Sequence, residues 1–342
     1  MKRILTTVLL IALIATAVFA QGGQEAEETE SGAIKIALII ENTVDDKGWG
    51  QAMHDGIKLA QSQRPGEIEY AYSEKMKPVD AGSAVLQYAG LGYDIIIGHG
   101  AQYKNLITEM AEEYPEISFA FGTSAEVVGD NVFTYMPQSE ETGYLNGLIA
   151  GMITKNNTIG LVGPVDGGDA ARYNRGFVLG VKEVNPSANV IVAHTGSFGD
   201  NVKAAELAQS QIKAGADVLT GSSQQALGAL RAVADFPNEE IWWLGQDLAQ
   251  LAIPEEYKVI AASSYNYAAV INDMVDLVSE GTLGGMNVPM NFNNSGFIFE
   301  YNDTNKGMIT EDIAAEVEKA LENFRGQAGH PSVSDWQSVT YN

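Results

Sequence analysis

The chain of 342 residues contains no cysteine, 20 basic residues against 44 acidic ones, and only four histidines. Without cysteine, neither a disulfide framework nor a lipid-carrying cysteine is available. The formal net charge of −24 argues against binding of nucleic-acid phosphates, which requires clustered Lys and Arg. It also disfavours an anionic small ligand unless a local cationic pocket exists, whereas a neutral ligand meets no such obstacle.

Signals of catalysis are equally sparse. The histidines are scattered along the chain: His54, His99, His194 and His330. No pair has the spacing of a metal site, and no Gly-x-Ser-x-Gly nucleophile turn occurs. The segment "GPVDGGDAAR" has the glycines of a phosphate loop but lacks its Lys–Ser/Thr pair, although Arg172 at its end could still meet a ligand. His99, at a predicted strand end, is the only acid–base candidate, and such a histidine more often simply hydrogen-bonds. We therefore expect a non-enzyme without cofactor or metal.

The N-terminus predicts export. Lys2 and Arg3 precede the apolar run "ILTTVLLIALIATAVFA", so residues 1–20 are predicted to be a signal peptide cleaved after Ala20. The alternative, a membrane anchor, is less favoured because the run is short for a full span. Residues 21–32 are polar and predict a flexible leader. We expect a periplasmic or otherwise extracytoplasmic protein without a lipid anchor.

The remaining chain is long enough for two domains with separate cores. Apolar runs alternate with amphipathic stretches, which predicts strand–helix–strand units and parallel sheets. An internal repeat is also visible, each pair being 123 positions apart: Ile36 and Ile159, Gly98 and Gly221, Phe119 and Trp242. Short apolar strands also resemble one another by chance. Two copies of one α/β lobe is the more economical interpretation.

The duplication predicts where a ligand would bind. Open parallel sheets bind ligands beyond the carboxyl ends of their strands, where helix N-termini offer free N–H groups. Two facing lobes would therefore share one cleft. The segments predicted to border it are Glu41, residues 45–51, residues 99–102 and Thr123 from the first lobe, and residues 166–172, Phe198, Ser223, Gln224 and Asp247 from the second.

The chain is predicted to pass several times from one lobe to the other. We assign residues 33–135 and 262–296 to the N-terminal lobe, and residues 136–261 and 297–342 to the C-terminal lobe. This arrangement requires three crossings between the lobes. Adjacent crossings form a hinge, and closure about it would bury a ligand between the lobes.

Several motifs carry a family resemblance. In order, they are "KIALII", "DDKGWGQAMHDGIK", "YDIIIGHG", "SEETGYLNGLIAGMI", "RYNRGFVLGVKEVNP", "TGSFGDNVKAAELAQSQIKAGADVL" and "GQD". Over roughly residues 33–325 the chain resembles the basic membrane protein family, the purine nucleoside receptors of ABC transporters. The resemblance implies the α/β type I periplasmic-binding-protein fold: two doubly wound, Rossmann-like lobes joined by a three-crossing hinge. It also implies delivery of purine nucleosides or bases to a membrane permease.

The resemblance assigns roles to four residues. Trp49 and Phe198 match the two base-stacking aromatic residues, one from each lobe. Asp247 of "GQD" matches the acidic residue that holds a ribose, and Thr123 matches a polar residue at the base edge.

This chain departs from the family pattern at three places. Gly50 stands where Asn is common, no basic residue occurs near Tyr265 or Asn266, and Ala20–Gln21 replaces the usual lipid-bearing cysteine. The first two departures weaken ribose recognition, so a free base such as adenine or guanine competes as the ligand.

The residue types themselves leave some roles open. Trp49 either stacks on a planar ligand or covers the core of its own lobe. The flanking Gly48 and Gly50 would let the backbone turn tightly and leave room for a flat ligand. Asp247 would accept hydrogen bonds from a ligand or cap the next helix.

Other polar residues have similarly open roles. Ser223 and Gln224 would read a base edge or form a turn. Gly100 offers a backbone N–H group at close range. Glu41, Asp45 and Asp46 would hold the turn after the first strand, with Asp45 as the helix N-cap.

We thus expect a monomeric receptor for a purine nucleoside or base that delivers its ligand to an ABC permease and binds no nucleic acid. The predicted ligand-binding residues are Trp49, Phe198, Asp247, Thr123, Gly100, Glu41, Gln224, Ser223, Gly245 and Tyr265. The alternatives are a binder of another small neutral ligand, such as a sugar, and a nucleoside-processing enzyme that uses His99.

Overall fold

The computed structural model describes residues 32–46, 48–236, 240–252, 258–326 and 333–341. The predicted signal peptide and, except for Gly32, the predicted leader lie outside these residues. No helix within the described ranges has the length and apolar character needed to cross a bilayer.

The described chain forms two six-stranded sheets. The first contains β1 (Ile34–Ile39), β2 (Ile68–Ser73), β3 (Ile95–Gly98), β4 (Ser118–Gly122), β5 (Val132–Pro137) and β11 (Met286–Met290). The second contains β6 (Thr158–Gly163), β7 (Asn189–His194), β8 (Val218–Gly221), β9 (Trp242–Gly245), β10 (Val259–Tyr265) and β12 (Phe297–Tyr301).

The two sheets have the same strand order, which confirms the predicted duplication. The first reads β2-β1-β3-β4-β5-β11 and the second β7-β6-β8-β9-β10-β12. The matched pairs β1 and β6, β3 and β8, and β4 and β9 therefore take equivalent places. Only the last strand differs: β11 runs parallel to β5, whereas β12 runs antiparallel to β10.

Helices cover both faces of each sheet. They are α1 (Trp49–Gln63), α2 (Pro78–Gly90), α3 (Lys104–Glu113), α4 (Glu140–Ile153), α5 (Gly168–Val184), α6 (Asn201–Lys213), α7 (Ala226–Ala234), α8 (Tyr267–Ser279) and α9 (Glu311–Gly326). Helix α1 packs against α8, α4 against α5 and α9, and α6 against α7. We call the first sheet with α1–α3 and α8 the first lobe, and the second sheet with α4–α7 and α9 the second lobe.

Strand β1 shows why its sheet is covered on both faces. Its residues alternate between two apolar clusters, with Ile36 and Leu38 in one and Ala37 and Ile39 in the other, and all four are fully buried. A parallel strand buried on both sides reads as a continuous apolar run. The run "IKIALII" has this character.

Helices α4 and α5 pack unusually closely through glycine. A Cβ atom added at Gly147 would lie 2.2 Å from the carbonyl oxygen of Phe177, and one added at Gly180 would lie 2.1 Å from that of Tyr144. Both glycines are required because no side chain fits between the backbones. The motif "SEETGYLNGLIAGMI" therefore supplies a helix contact of the second lobe.

The chain crosses between the sheets at three adjacent segments. After β5, the Gln138 N–H group donates to Met290 O at 2.8 Å, which joins the first crossing to the third. After β10, the Asn266 N–H group donates to Gly296 O at 2.8 Å, which joins the second crossing to the third. The three segments thus form one hydrogen-bonded hinge region.

The crossings lie slightly away from two predicted boundaries. The boundary at 261/262 falls inside β10, which stays paired with β12 up to Tyr265. Likewise, β5 remains in the first sheet up to Pro137 rather than ending at 135. Both strands thus extend a few residues beyond the predicted boundaries.

Candidate functional site

A cleft of about 750 Å³ lies between the carboxyl ends of the two sheets. This volume is within the range of small-molecule sites. The structure brings nine of the predicted residues to its walls: Glu41, Trp49, Gly100, Thr123, Phe198, Ser223, Gln224, Asp247 and Tyr265. Gly245 does not line the cleft, because it is a buried residue of β9 whose carbonyl oxygen accepts a hydrogen bond from Asn146 Nδ2 at 2.9 Å. That prediction was wrong in its placement.

The turn before α1 is held by Asp46. Its carboxylate accepts hydrogen bonds from the N–H groups of Gly48, Gly50 and Gln51, each at 3.0 Å. The predicted N-cap role of Asp45 is therefore taken by Asp46. A Cβ atom at Gly50 would lie 2.9 Å from Asp46 Oδ2, so Gly50 makes room for the capping carboxylate rather than for a ligand.

The Trp49 ring packs against another ring of the protein, and the residue also lines the cleft. Its ring stacks on His99 with centroids 4.3 Å apart and planes 10° apart. Tyr265 and Tyr267 meet it edge-on, at 5.2 Å and 5.7 Å. Trp49 thus packs against its own lobe and also lines the cleft, so its predicted stacking on a ligand stays a prediction.

His99 is almost fully buried, with an exposed fraction of 1%. Its Nδ1 lies 2.7 Å from the Tyr135 hydroxyl and its Nε2 lies 3.1 Å from the Trp49 carbonyl oxygen. Burial lowers the pKa of His99 to about 3. Because both ring nitrogens are occupied, His99 has no free nitrogen for acid–base catalysis.

Arg172 does not project a free charge towards a ligand. Its Nε donates to Glu140 Oε2 at 2.6 Å, and its guanidinium lies 4.8 Å from the centroid of the Trp336 ring. The Glu140 side chain is only 7% exposed, so this ion pair is largely shielded from water.

Phe198 forms part of the opposite wall. It lies between β7 and α6, lines the cleft, and is 51% exposed. Near it the lobes approach each other: a Cβ atom added at Gly48 of the first lobe would lie 3.4 Å from Gln224 Cγ of the second. Trp49 and Phe198 therefore stand on different lobes of one cleft.

Asp247 has the predicted capping role and lies on the cleft wall. Its Oδ1 accepts a hydrogen bond from the Ala249 N–H group at 2.7 Å and thus caps the short helix that follows. Its Oδ2 lies 3.5 Å from Ser264 Oγ, and the residue is 5% exposed on the cleft wall. Burial raises the pKa of Asp247 to about 7, with the carboxylates of Asp46 and Asp55 adding to the shift.

Other residues that were given no individual binding role from the sequence also line the cleft, among them Gln246 and Asp169. Gln246 accepts from the Ser223 N–H group at 2.9 Å and donates to the Tyr265 hydroxyl at 3.0 Å. Asp169 accepts from the hydroxyls of Tyr265 and Ser139, both in or beside the hinge. Burial raises the pKa of Asp169 to about 6.

Signals for these two residues were present. Gln246 lies 123 positions after Thr123, so the repeat places both at equivalent strand ends. Asp169 lies in the predicted cleft segment 166–172. Its partners come from distant parts of the chain, and no spacing in the sequence identifies them.

Thr123 and Gln224 are less free than their types imply. The Thr123 hydroxyl accepts from the Ala101 N–H group at 2.8 Å and donates to Gly122 O at 2.7 Å, so it meets a ligand only as an acceptor. Gln224 Oε1 is buried without a hydrogen-bond partner among the described residues. Although the residue lines the cleft, this oxygen itself is enclosed by protein, and a buried acceptor of this kind normally has a hydrogen-bond partner.

The cleft is acidic. Among the described residues that line it, Glu41, Asp169 and Asp247 carry carboxylates, and none is Lys or Arg. In the same described part of the chain, no group of three His, Asp or Glu residues is placed to hold a metal ion. The wall chemistry suits a neutral or donor-rich ligand better than a phosphate.

Two similar α/β lobes, a hinge and a cleft at the strand ends define a two-lobed solute-binding protein. Residues 33–325 match the family Bmp, described as PnrA-like ABC transporter substrate-binding proteins. The chain belongs to this family.

Three relatives are named for the binding of different ligands. The ABC transporter nucleoside-binding protein BmpA of Lactococcus lactis is 25% identical over 347 residues, covering 94% of this chain and 96% of its own. A purine-binding protein of Brucella abortus is 26% identical and covers 58% of this chain and 56% of its own. TsgA13 of Haloferax volcanii, named as a candidate glucose-binding protein of an ABC transporter, is 31% identical and covers 60% of this chain and 52% of its own.

A solved structure supports the fold. A solute-binding protein of an ABC transporter system from Aeropyrum pernix has a TM-score of 0.74 at 18% identity, covering 89% of this chain and 96% of its own. The type I periplasmic-binding fold predicted from the resemblance is thereby confirmed.

Proposed function

We propose that this chain captures a purine nucleoside or nucleobase in the cleft and delivers it to an ABC permease. The observation that carries the proposal is the pair of aromatic walls: Trp49 from the first lobe and Phe198 from the second line the same cleft. A purine has two π-faces, and stacking on an aromatic side chain is worth about 1–3 kcal/mol per base.

Stacking on both faces would supply about 2–6 kcal/mol, whereas micromolar affinity requires about 8 kcal/mol. The remainder would come from hydrogen bonds at the edges of the ligand. Asp247 Oδ2, the Gln224 amide and the Gly100 backbone are the groups proposed for this role. Asp247 Oδ2 is an acceptor, which matches the N–H and O–H donors of a purine base or its ribose.

We further propose that the lobes act as two domains that close about the hinge. The three crossings bond to one another, so they would bend together. The closed form would be the one that docks on the permease. The protein would act as a monomer in an extracytoplasmic compartment, to which the predicted signal peptide would direct it.

A free base is as good a candidate as a nucleoside. The family's basic sugar-contacting residue has no counterpart near Tyr265 or Asn266, and the Tyr265 hydroxyl already donates to Asp169 and accepts from Gln246. The Asn266 side chain donates to Ser295 O at 2.9 Å within the hinge. Ribose recognition would therefore depend on Asp247.

A sugar is the second candidate. It is supported by the sequence similarity to TsgA13, which is named as a candidate glucose-binding protein, and by the carboxylates on the cleft walls. Sugars also stack on aromatic rings and donate to carboxylates. The half-exposed Phe198 favours the purine, because a second aromatic wall matches the second face of a planar ligand.

The test is calorimetric titration of protein purified under native conditions and then stripped of ligand by unfolding and refolding. Adenine, adenosine, guanosine and inosine form the first panel, and glucose, ribose and AMP form the second. We expect micromolar or tighter binding within the first panel and none of AMP. Mass spectrometry of the ligand released on unfolding identifies the natural occupant. Heat only from sugars would replace the purine proposal with the sugar one.

A further inference from the structure

We propose that His99 is a positioning residue that holds the Trp49 indole in place, so that its opposite face is presented to a ligand. His99 does not bind the ligand itself in this proposal. The part that concerns ligand affinity rests on the proposed purine function, whereas the part that concerns the Trp49 ring does not.

The hydrogen bonds of His99 determine its tautomer. The Trp49 carbonyl oxygen can only accept, so His99 Nε2 must carry the proton that it donates over 3.1 Å. Nδ1 is then an acceptor, and the Tyr135 hydroxyl donates to it over 2.7 Å. The imidazole is neutral, with both nitrogens satisfied and its orientation set by the two partners.

This oriented imidazole contacts Trp49 in two ways. It bonds to the backbone carbonyl of Trp49 and also lies flat against its indole, with planes 10° apart. Tyr265 and Tyr267 block rotation by meeting the indole edge-on. Trp49 is the first residue of α1, where tertiary contacts rather than a preceding helical turn must hold the side chain.

Tyr267 supports the same arrangement from the side. Its ring meets His99 edge-on with centroids 5.1 Å apart and meets Tyr135 at 5.9 Å. Burial lowers the pKa of His99 to about 3, in agreement with a neutral ring in this apolar surrounding. A charged imidazole would lose its acceptor for Tyr135 and place an unpaired cation among aromatic rings.

Holding the indole before binding reduces the conformational entropy that binding would otherwise cost. Immobilising one side chain of this kind weakens binding by about threefold to tenfold when it must occur on association. This is the loss expected when His99 is truncated. Phe198, half exposed on the other wall, has no ring stacked against it within the part of the chain that the structure describes.

The first experiment needs no ligand. In protein labelled with ¹⁵N, we expect His99 to show the Nε2–H tautomer and not to titrate between pH 5 and 8. In H99A and H99F, we expect the Trp49 indole resonance to shift and broaden, while the resonances of the other tryptophans stay unchanged. A His99 ring that titrates near pH 6.5, or an unchanged Trp49 resonance in H99A, would overturn the proposal.

The second experiment measures adenine and adenosine binding by calorimetry. We expect H99A to weaken the dissociation constant about threefold to tenfold and H99F to recover part of this loss, because Phe restores the flat ring. Y135F removes only the hydroxyl that orients His99, and a smaller loss of the same sign is expected. It also serves as the milder variant should H99A fold poorly.

His54 supplies the matched control. Its Nδ1 also lies 2.9 Å from a tyrosine hydroxyl, that of Tyr70, but it faces away from the cleft. H54A should leave both the Trp49 resonance and ligand affinity unchanged, and an equal effect of H54A and H99A would refute the positioning role. If the wild-type protein binds neither ligand, the purine proposal fails, and the ligand-free experiment still decides the role of His99.

Discussion

The two lobes have the same strand order but different chemistry at equivalent strand ends. In the first lobe, β3 is followed by His99, which backs Trp49, and β4 is followed by Thr123. In the second, the equivalent positions hold Ser222, whose hydroxyl donates to Asn174 Oδ1 at 2.9 Å, and Gln246. The first wall thus offers a ring held from behind, whereas the second offers amide and carboxylate groups.

This difference shows which parts of a duplicated lobe are free to diverge. Residues within central strands such as β3, β4 and β8 are buried, so a change of volume there costs stability. Residues just past the strand ends face the cleft on one side and can change with little effect on the core. Ligand chemistry therefore diverged at the strand ends, while the scaffold stayed the same.

The largest expected effect concerns the acidic second wall. Asp247 has a native pKa of about 7 against 3.8 for the free group, because burial disfavours its charge. As pH rises from about 4 to 7, the unfolded chain ionises this group and the native protein does not, so stability falls. D247N removes this loss, and we expect it to stabilise the ligand-free protein by up to about 4 kcal/mol at pH 8 and by little at pH 4.

Urea unfolding of the two proteins at both pH values measures this difference. D303N, which removes a carboxylate that is 96% exposed, is the control and should show little change. At pH 8, where Asp247 is mostly ionised, the same D247N variant should bind purines more weakly, since a neutral amide is a poorer acceptor than a carboxylate. A stabilisation of equal size at pH 4 and pH 8 would contradict a raised pKa of Asp247.

The next effect concerns the supported ring of the first wall. W49A should weaken purine binding about fivefold to 150-fold, because it removes about 1–3 kcal/mol of stacking. W49F should retain part of the affinity, since a smaller ring still covers one face of the ligand. Calorimetry with adenine and adenosine measures both variants. Binding unaffected by W49A would mean that the ligand lies elsewhere in the cleft.

The smallest effect is expected at Phe198. Its ring is 51% exposed, so part of its contact with a ligand remains open to water, and F198A should weaken binding by about twofold to fivefold. V202A is the control for general effects of removing an exposed apolar side chain in this region. Val202 is 73% exposed and lies at the start of the adjoining helix α6. A larger loss for F198A than for W49A would reverse the comparison between the two walls.

Much of the architecture was predictable because it depends on local patterns. The apolar alternation and the spacing between Ile36 and Ile159 predicted two equivalent parallel sheets. Strand-end positions such as Thr123 and Asp247 were placed at the cleft because parallel strands end at one edge. Gly245 does not line the cleft, because it is still the last, buried residue of strand β9.

Other features were not predictable because they depend on which side chain reaches a given atom. Asp45 and Asp46 are adjacent and chemically identical, yet Asp46 is the one whose carboxylate reaches the N–H groups of α1. From the sequence, Arg172 could have contacted a ligand, whereas in the structure its guanidinium pairs with Glu140. Such choices follow from the path of the turn and from helix packing.

The sequence by itself determined the alternation of strands and helices, the duplication and the loops that border the cleft, because periodicity and spacing are local properties. Only the tertiary structure decided that His99 bonds to and stacks on Trp49, and that Asp169 accepts a hydrogen bond from Tyr265. These partners lie 50 and 96 residues apart along the chain. Contacts at that separation exist only once the sheet that carries both residues has formed, because the sheet brings its strand ends together.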